Sequence, residues 1–285
     1  MTIGTMTQDN QLKRATEQIH VAAQYLAMFG KYFVPKKEDD SHTNFEWDLL
    51  SRQFISHPAS FTPIRMFLRP EDLKLGLGSH ADDLVAELRL PGLTKEEGTE
   101  WVKAQLRHLD FDANVYQISL HYDLPAYGNP GLRPFELADP HSFNQFRDLR
   151  GWAKEIIDHY KKAFALAQAD CTWPHHFDHG CYVPLTIDSN GKVAGSISFG
   201  LAIHDVLQDS HYLYVTHWTA EILNDLDPPK LSSGRWELDR MQGTLLPITQ
   251  KGDFDTNTQV DRAHLFMREA IDASLNFLKR PSKEF

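Results

Sequence analysis

Cysteine is nearly missing from this chain, whose 285 residues include only Cys171 and Cys181. A disulfide framework is therefore not expected, and the pair reads as reduced thiols or as two metal ligands. Long apolar runs are missing too, so no transmembrane helix is expected. Residues 1–10 have no apolar signal core and read as a flexible leader, which makes the expected location cytoplasmic. Excess positive charge is absent: 29 Lys and Arg stand against 39 Asp and Glu, a net charge of −10. With no basic footprint, neither nucleic acid nor an anionic membrane surface is an expected partner. A small-molecule ligand is, and a homo-oligomer is left open.

Several chemical signatures are also lacking. No Gly-x-Gly-x-x-Gly and no Walker lysine loop supports a nucleotide cradle. No Gly-x-Ser-x-Gly elbow points to a serine hydrolase, and no His-Glu-x-x-His helix points to the common zinc-protease layout.

What is present is ordinary globular chemistry, 41% hydrophobic and 24% charged, in a chain long enough for a sizeable core. Leu12, Ala15, Ile19, Ala22, Ala23, Leu26, Phe29 and Phe33 recur at helical spacing, and Pro35 closes the helix. Strand-like pieces follow at 53–56, 64–68, 74–77, 84–90 and 115–120. Thr94 and Glu97 have the spacing of a capping box at the start of a second helix. Six Pro and Gly residues between Pro125 and Pro140 mark a connection. A second long helix runs from Phe146 to Ala167. Strands are expected at 181–187, 193–203, 211–218 and 235–245, with Asn190-Gly191 turning the first pair. Thr258–Leu278 closes the chain as a helix.

The expected architecture is α+β in two similar halves, 11–124 and 146–285, joined by 125–145. Each half is a long helix, antiparallel strands and a closing helix, the two related by a pseudo-twofold axis.

The densest chemistry is Trp173-Pro174-His175-His176-Phe177-Asp178-His179-Gly180. Read as a strand, it puts His175, Phe177 and His179 on one face and His176 with Asp178 on the other. Such imidazoles and carboxylates can share a metal ion, or act as a base with its orienting carboxylate. The matching stretch of the first half, read likewise, puts His42, Asn44, Glu46 and Asp48 on one face, with Asp40 in the loop before it. If His42 is equivalent to His176, Asn44 lies opposite Asp178; if to His175, that pairing is lost. His204, Asp205 and His217 could complete a shell, although His217 could equally be an outward polar residue of a half-buried strand. The six tryptophans are spread over both halves, which suits core packing.

Asp40-Ser41-His42-Thr43-Asn44 with Trp47-Asp48, then Trp173-Pro174-His175-His176-Phe177-Asp178, then Tyr214-Val215-Thr216 with Trp218, resemble the motif set of a bacterial family of uncharacterised proteins, a domain of unknown function. The resemblance spans most of the chain and implies a shared architecture and a shared site, but no reaction. Two departures stand out: Ala202-Ile203-His204-Asp205 replaces a Ser-Pro-Gly-Asp-like turn, and Trp218-Thr219 replaces a Trp-Pro pair. His179 is particular to this chain.

The functional expectation is a metal-dependent, hydrolase-like enzyme acting on a small molecule. His42, His175, His176 and Asp178 would hold one divalent ion (Zn, Fe, Mn or Ni). Asp40, His42, His176 and Asp178 would carry the chemistry, and Asn44, Trp173, His204, Asp205 and His217 would contact the ligand. The same acid–base chemistry without the ion is a close variant. The alternative is a non-catalytic ligand-binding or assembly protein, in which the His/Asp cluster is a structural polar network.

Overall fold

A computed structural model describes residues 8–125, 133–220, 228–248 and 256–278. The chain is α+β and divides into two compact units. The first comprises Met1–Gly151 and Cys171–Phe177, the second Trp152–Asp170 and Asp178–Phe285. The division falls inside a helix, and a short segment of later sequence returns to the first unit. The connection expected at 125–145 overlaps residues 126–132, which lie outside the described residues, as do residues 1–7 of the expected leader.

The first unit opens with α1 (Gln8–Phe33), which takes in the last three residues of the expected leader. The apolar stripe from Leu12 to Phe33 is buried as its spacing requires. Strands β1 (Phe45–Asp48), β2 (Gln53–Ser56), β3 (Arg65–Arg69), β4 (Lys74–His80) and β5 (Asp83–Arg89) follow, each antiparallel to the next. One face of this sheet, with Phe45, Trp47, Phe54, Met66 and Leu68, is buried, and α1 packs on β2 and β3. Helix α2 (Lys95–His108) starts at the expected capping box: Glu97 N–H donates to Thr94 Oγ1, and Thr94 N–H donates to Glu97. The short strand β6 (Cys171–Thr172) adds to the free side of β1, with Thr172 opposite Phe45.

Residues 115–120 are not a strand. Tyr116 is buried with its hydroxyl donating to Tyr25 O of α1, and the local bonds Tyr116 N–Ala113 O and Ser119 N–Gln117 O hold the backbone in turns.

Helix α3 (Pro140–Lys161) ends earlier than its apolar spacing suggests, because residues 162–167 fold into successive turns. The second unit's sheet has the order β10–β11–β9–β8–β7, all antiparallel. Its strands are β7 (His179–Ile187), β8 (Val193–Ala202), β9 (Tyr212–Thr219), β10 (Arg235–Glu237) and β11 (Gly243–Pro247). The β7–β8 hairpin turns through Asn190-Gly191, with Gly191 at φ 79°. The single strand expected at 235–245 is instead two strands paired as a hairpin. Helix α4 (Asn257–Leu278) lays Ala263, Phe266, Met267, Ala270 and Phe277 against β8, β9 and β11. No helix among the described residues is long and apolar enough to cross a membrane.

Candidate functional site

Asp40 to Asn44 is not an extended run. Asp40 sits at φ 57°, and Thr43 returns both its N–H and its hydroxyl to the Asp40 carbonyl, winding Ser41–Thr43 into a 3-10 turn. Strand alternation therefore begins only at Phe45, and His42 and Asn44 are buried rather than arrayed with Glu46 and Asp48. This turn packs so closely on α1 that a Cβ on Gly30 would stand 2.9 Å from Thr43 Cα.

Within the turn, His42 Nδ1 accepts the Lys37 N–H at 3.3 Å. Burial lowers its pKa, against the pull of the Asp40 carboxylate, so the ring is neutral near pH 7. Asn44 links two side chains: its Oδ1 accepts from His57 Nε2 at 2.8 Å, and its Nδ2 donates to Cys171 Sγ at 3.1 Å. Burial also holds His57 below the usual imidazole range. Neither cysteine is in a disulfide. Cys181 is buried in the second unit, its thiol pushed up to about 11 by burial.

The 173–178 stretch is also a turn, not a strand. Phe177 N–H bonds Trp173 O at 2.8 Å, and Phe177 takes φ 56°, which reverses the alternation before β7 begins. Phe177 is fully buried, His176 exposed, and His175 partly covered. The Pro174 carbonyl is held by His20 Nε2 at 2.7 Å and Gln24 Nε2 at 3.0 Å. The buried guanidinium of Arg150 bonds Phe177 O and lies over the Phe177 ring at 4.7 Å.

These two turns share a continuous set of contacts in the first unit. Asp40 Oδ2 pairs with His121 Nε2 at 3.3 Å. The His121 ring meets Tyr122 at 4.9 Å, Tyr122 meets His175 at 5.8 Å, and His175 meets His176 at 4.5 Å and Trp173 at 5.9 Å. Tyr122 donates to Gln24 Oε1 at 2.6 Å, and burial raises its pKa, so it stays a donor. Of the residues expected at the site, Asp40, His42, Asn44, Trp173, His175 and His176 thus belong to the first unit.

Asp178, His204, Asp205 and His217 belong to the second unit. There Asp178 Oδ2 accepts from Tyr214 at 2.8 Å. Asp205 is taken up by a turn: its carboxylate accepts the Leu207 and Gln208 N–H groups and the Tyr212 hydroxyl. His204 stands 6.1 Å, ring to ring, from His211. His217 is not an outward residue of its strand; it is 4% exposed, packed against Phe277 at 5.5 Å, with its pKa lowered by burial. Among the described residues, no three His, Cys, Asp or Glu side chains stand together closely enough to hold a metal ion.

His57, His121, Tyr122, His20 and Gln24 escaped the sequence reading. A signal did exist for two of them: His20 and Gln24 are polar residues four apart inside an apolar helix face, and such a pair needs an acceptor brought from elsewhere in the chain. No family model, curated protein or solved structure matches this chain.

Proposed function

We propose that the first unit is an enzyme site acting on a small polar molecule by general acid–base chemistry, hydrolysis being the reaction such groups serve best. The supporting observation is the Asp40–His121 pair. A carboxylate on Nε2 fixes the ring and leaves Nδ1 to take a proton from water, and the same carboxylate steadies the imidazolium that forms. His42, neutral and two residues from Asp40, supplies a hydrogen bond, while His175 and His176 stand at the far end of the ring series as proton donors to a leaving group. A divalent ion on His42, His175 and His176 of this unit is the metal-dependent form of the proposal. Because no three such donors converge among the described residues, no step is assigned to it.

A second reading, a non-catalytic polar network that shapes a ligand site or an assembly surface, is favoured by hydrogen bonds that already engage these groups: Gln24 with Pro174 O and Tyr122, and Asn44 with His57 and Cys171. A panel of chromogenic esters, phosphoesters and amides, run with the parent and His121→Ala, separates the two. Turnover that falls about a hundredfold or more in a folded variant supports the enzyme. No turnover on any of them, or turnover unchanged in the variant, favours the network.

The same reading treats the two units as versions of one plan, a sheet covered by a long helix: α1 in the first and α4 in the second.

A further inference from the structure

The first unit has a second feature, on the sheet face that α1 does not cover. Glu46 of β1 pairs with Ile55 of β2, and Ile55 with Phe67 of β3, so the three form one row across that face. Over this row lies a cavity of about 550 Å³, within the usual range for small-ligand sites. Ile55 and Phe67 make its floor. Asp48 at the end of β1 and Leu50 in the turn after it also line the cavity, and Leu50 is 95% exposed. Arg65 lines it two residues along β3 from Phe67, and the β4–β5 hairpin closes its rim.

The charges in this cavity are of both signs and are not neutralised. Among the described residues, Glu46, Asp48 and Arg65 form no ion pair. Asp48 Oδ2 accepts the N–H and hydroxyl of Ser51, and Arg65 Nη1 donates to Ser56 O at 3.2 Å. Glu46 and Arg65 are two strands apart and offset by two residues along the strands, a diagonal of about 12 Å between their backbones, with apolar Ile55 and Phe67 beside that diagonal. Opposite charges on a plain surface gain by meeting. Here they are held apart across an apolar floor, which is complementary to a molecule with a positive end, an apolar middle and a negative end.

We infer that this cavity binds a zwitterion of dipeptide size with apolar side chains. Its ammonium lies toward Glu46 and Asp48, and its carboxylate toward Arg65. An extended dipeptide spans about 7 Å, which the reach of the Glu and Arg side chains brings within range of both. The inference does not depend on the acid–base site, because its test reads binding alone.

The test is titration calorimetry of the full chain with leucyl-phenylalanine, its N-acetyl form and its C-terminal amide. The free dipeptide is expected to bind at least about tenfold more tightly than either capped form, since each cap removes one charge-assisted contact. Glu46→Gln should erase the penalty of acetylation and leave that of amidation, and Arg65→Gln should do the reverse. Arg65→Lys, which keeps the charge, should retain binding and guards against a variant that merely misfolds. Capped and free forms that bind equally, no binding of the free dipeptide, or variants that weaken all three probes alike would overturn the assignment.

Discussion

The imidazole of His20 lies flat on the ring of Phe177, centroids 4.5 Å apart and planes 2° from parallel. The same imidazole reaches the Pro174 carbonyl, so one side chain of α1 holds both ends of the turn that carries His175 and His176. Full burial pushes its pKa down to about 3, although the Pro174 bond pulls the other way.

That shift gives a pH dependence with a definite sign. Unfolded, His20 takes a proton near pH 6.5; folded, it resists until about 3. The unfolded chain therefore binds more protons in this window, and the contribution of His20, complete above pH 6.5, is lost as pH falls toward 3. At pH 4.5 the loss is about 2–3 kcal/mol. Urea unfolding at pH 7 and 4.5 should show that His20→Gln, which cannot titrate, has a smaller drop than the parent; equal drops would rule out this origin.

Asp40 permits function and stability to be separated. Its left-handed backbone suits glycine, so Asp40→Gly should cost little stability, or add up to about 1 kcal/mol, while removing the carboxylate from His121. If the acid–base reading holds, activity falls by about a hundredfold or more in a protein whose melting temperature is unchanged or higher. A variant that keeps its rate removes Asp40 from the chemistry.

His217 provides a contrasting case. Both ring nitrogens are buried without a hydrogen-bond partner among the described residues, and the ring packs on Phe277. Replacing it by leucine exchanges unmet polar atoms for apolar contact, so thermal unfolding should show no loss and a gain of about 1 kcal/mol. A loss of several kcal/mol would mean that the ring has a polar role.

In the second unit, Asp170 receives Lys154, Lys161 and His179, and its side chain is 5% exposed. Burial works against its ionisation, but the His179 bond and the Lys161 ammonium hold the carboxyl far below the usual carboxylate range. Its contribution is thus present above about pH 4 and fades as pH falls further. Asp170→Asn takes the carboxylate from buried His179 while Lys154 and Lys161 keep Asp158, and should cost about 1–3 kcal/mol in denaturant unfolding at pH 7. A cost below about 1 kcal/mol would place the network in the category of surface pairs.

Metal content tests the remaining form of the proposal. Plasma mass spectrometry of the purified protein and of His176→Ala should give the same metal content if His176 acts only through its proton. Near-stoichiometric zinc, iron, manganese or nickel in the parent that disappears in the variant would establish the metal-dependent form instead.

The parts of this fold that can be read from the sequence are those set by near neighbours. Thr94 and Glu97 satisfy each other's backbone within three residues, and Asn190-Gly191 makes its own turn, so both appear where the residues suggest. The turns at Asp40 and Phe177 depend on groups far along the chain, namely Gly30, His20, Gln24 and Arg150, and a local alternation rule cannot anticipate them. The same holds for His121. It follows a segment with strand-like residues that forms no ladder, and its pairing with Asp40 joins positions 81 residues apart.

The return of Cys171–Phe177 to the first unit has a consequence for synthesis. As the chain leaves the ribosome, residues 1–151 emerge without the strand that flanks β1 and without the ring that His20 covers. The N-terminal portion therefore waits, its aromatic core partly open, until residue 177 has cleared the exit tunnel. A stalled or prematurely terminated chain in that interval leaves the faces of Phe54 and Phe146 that Phe177 covers open to chaperones and proteases.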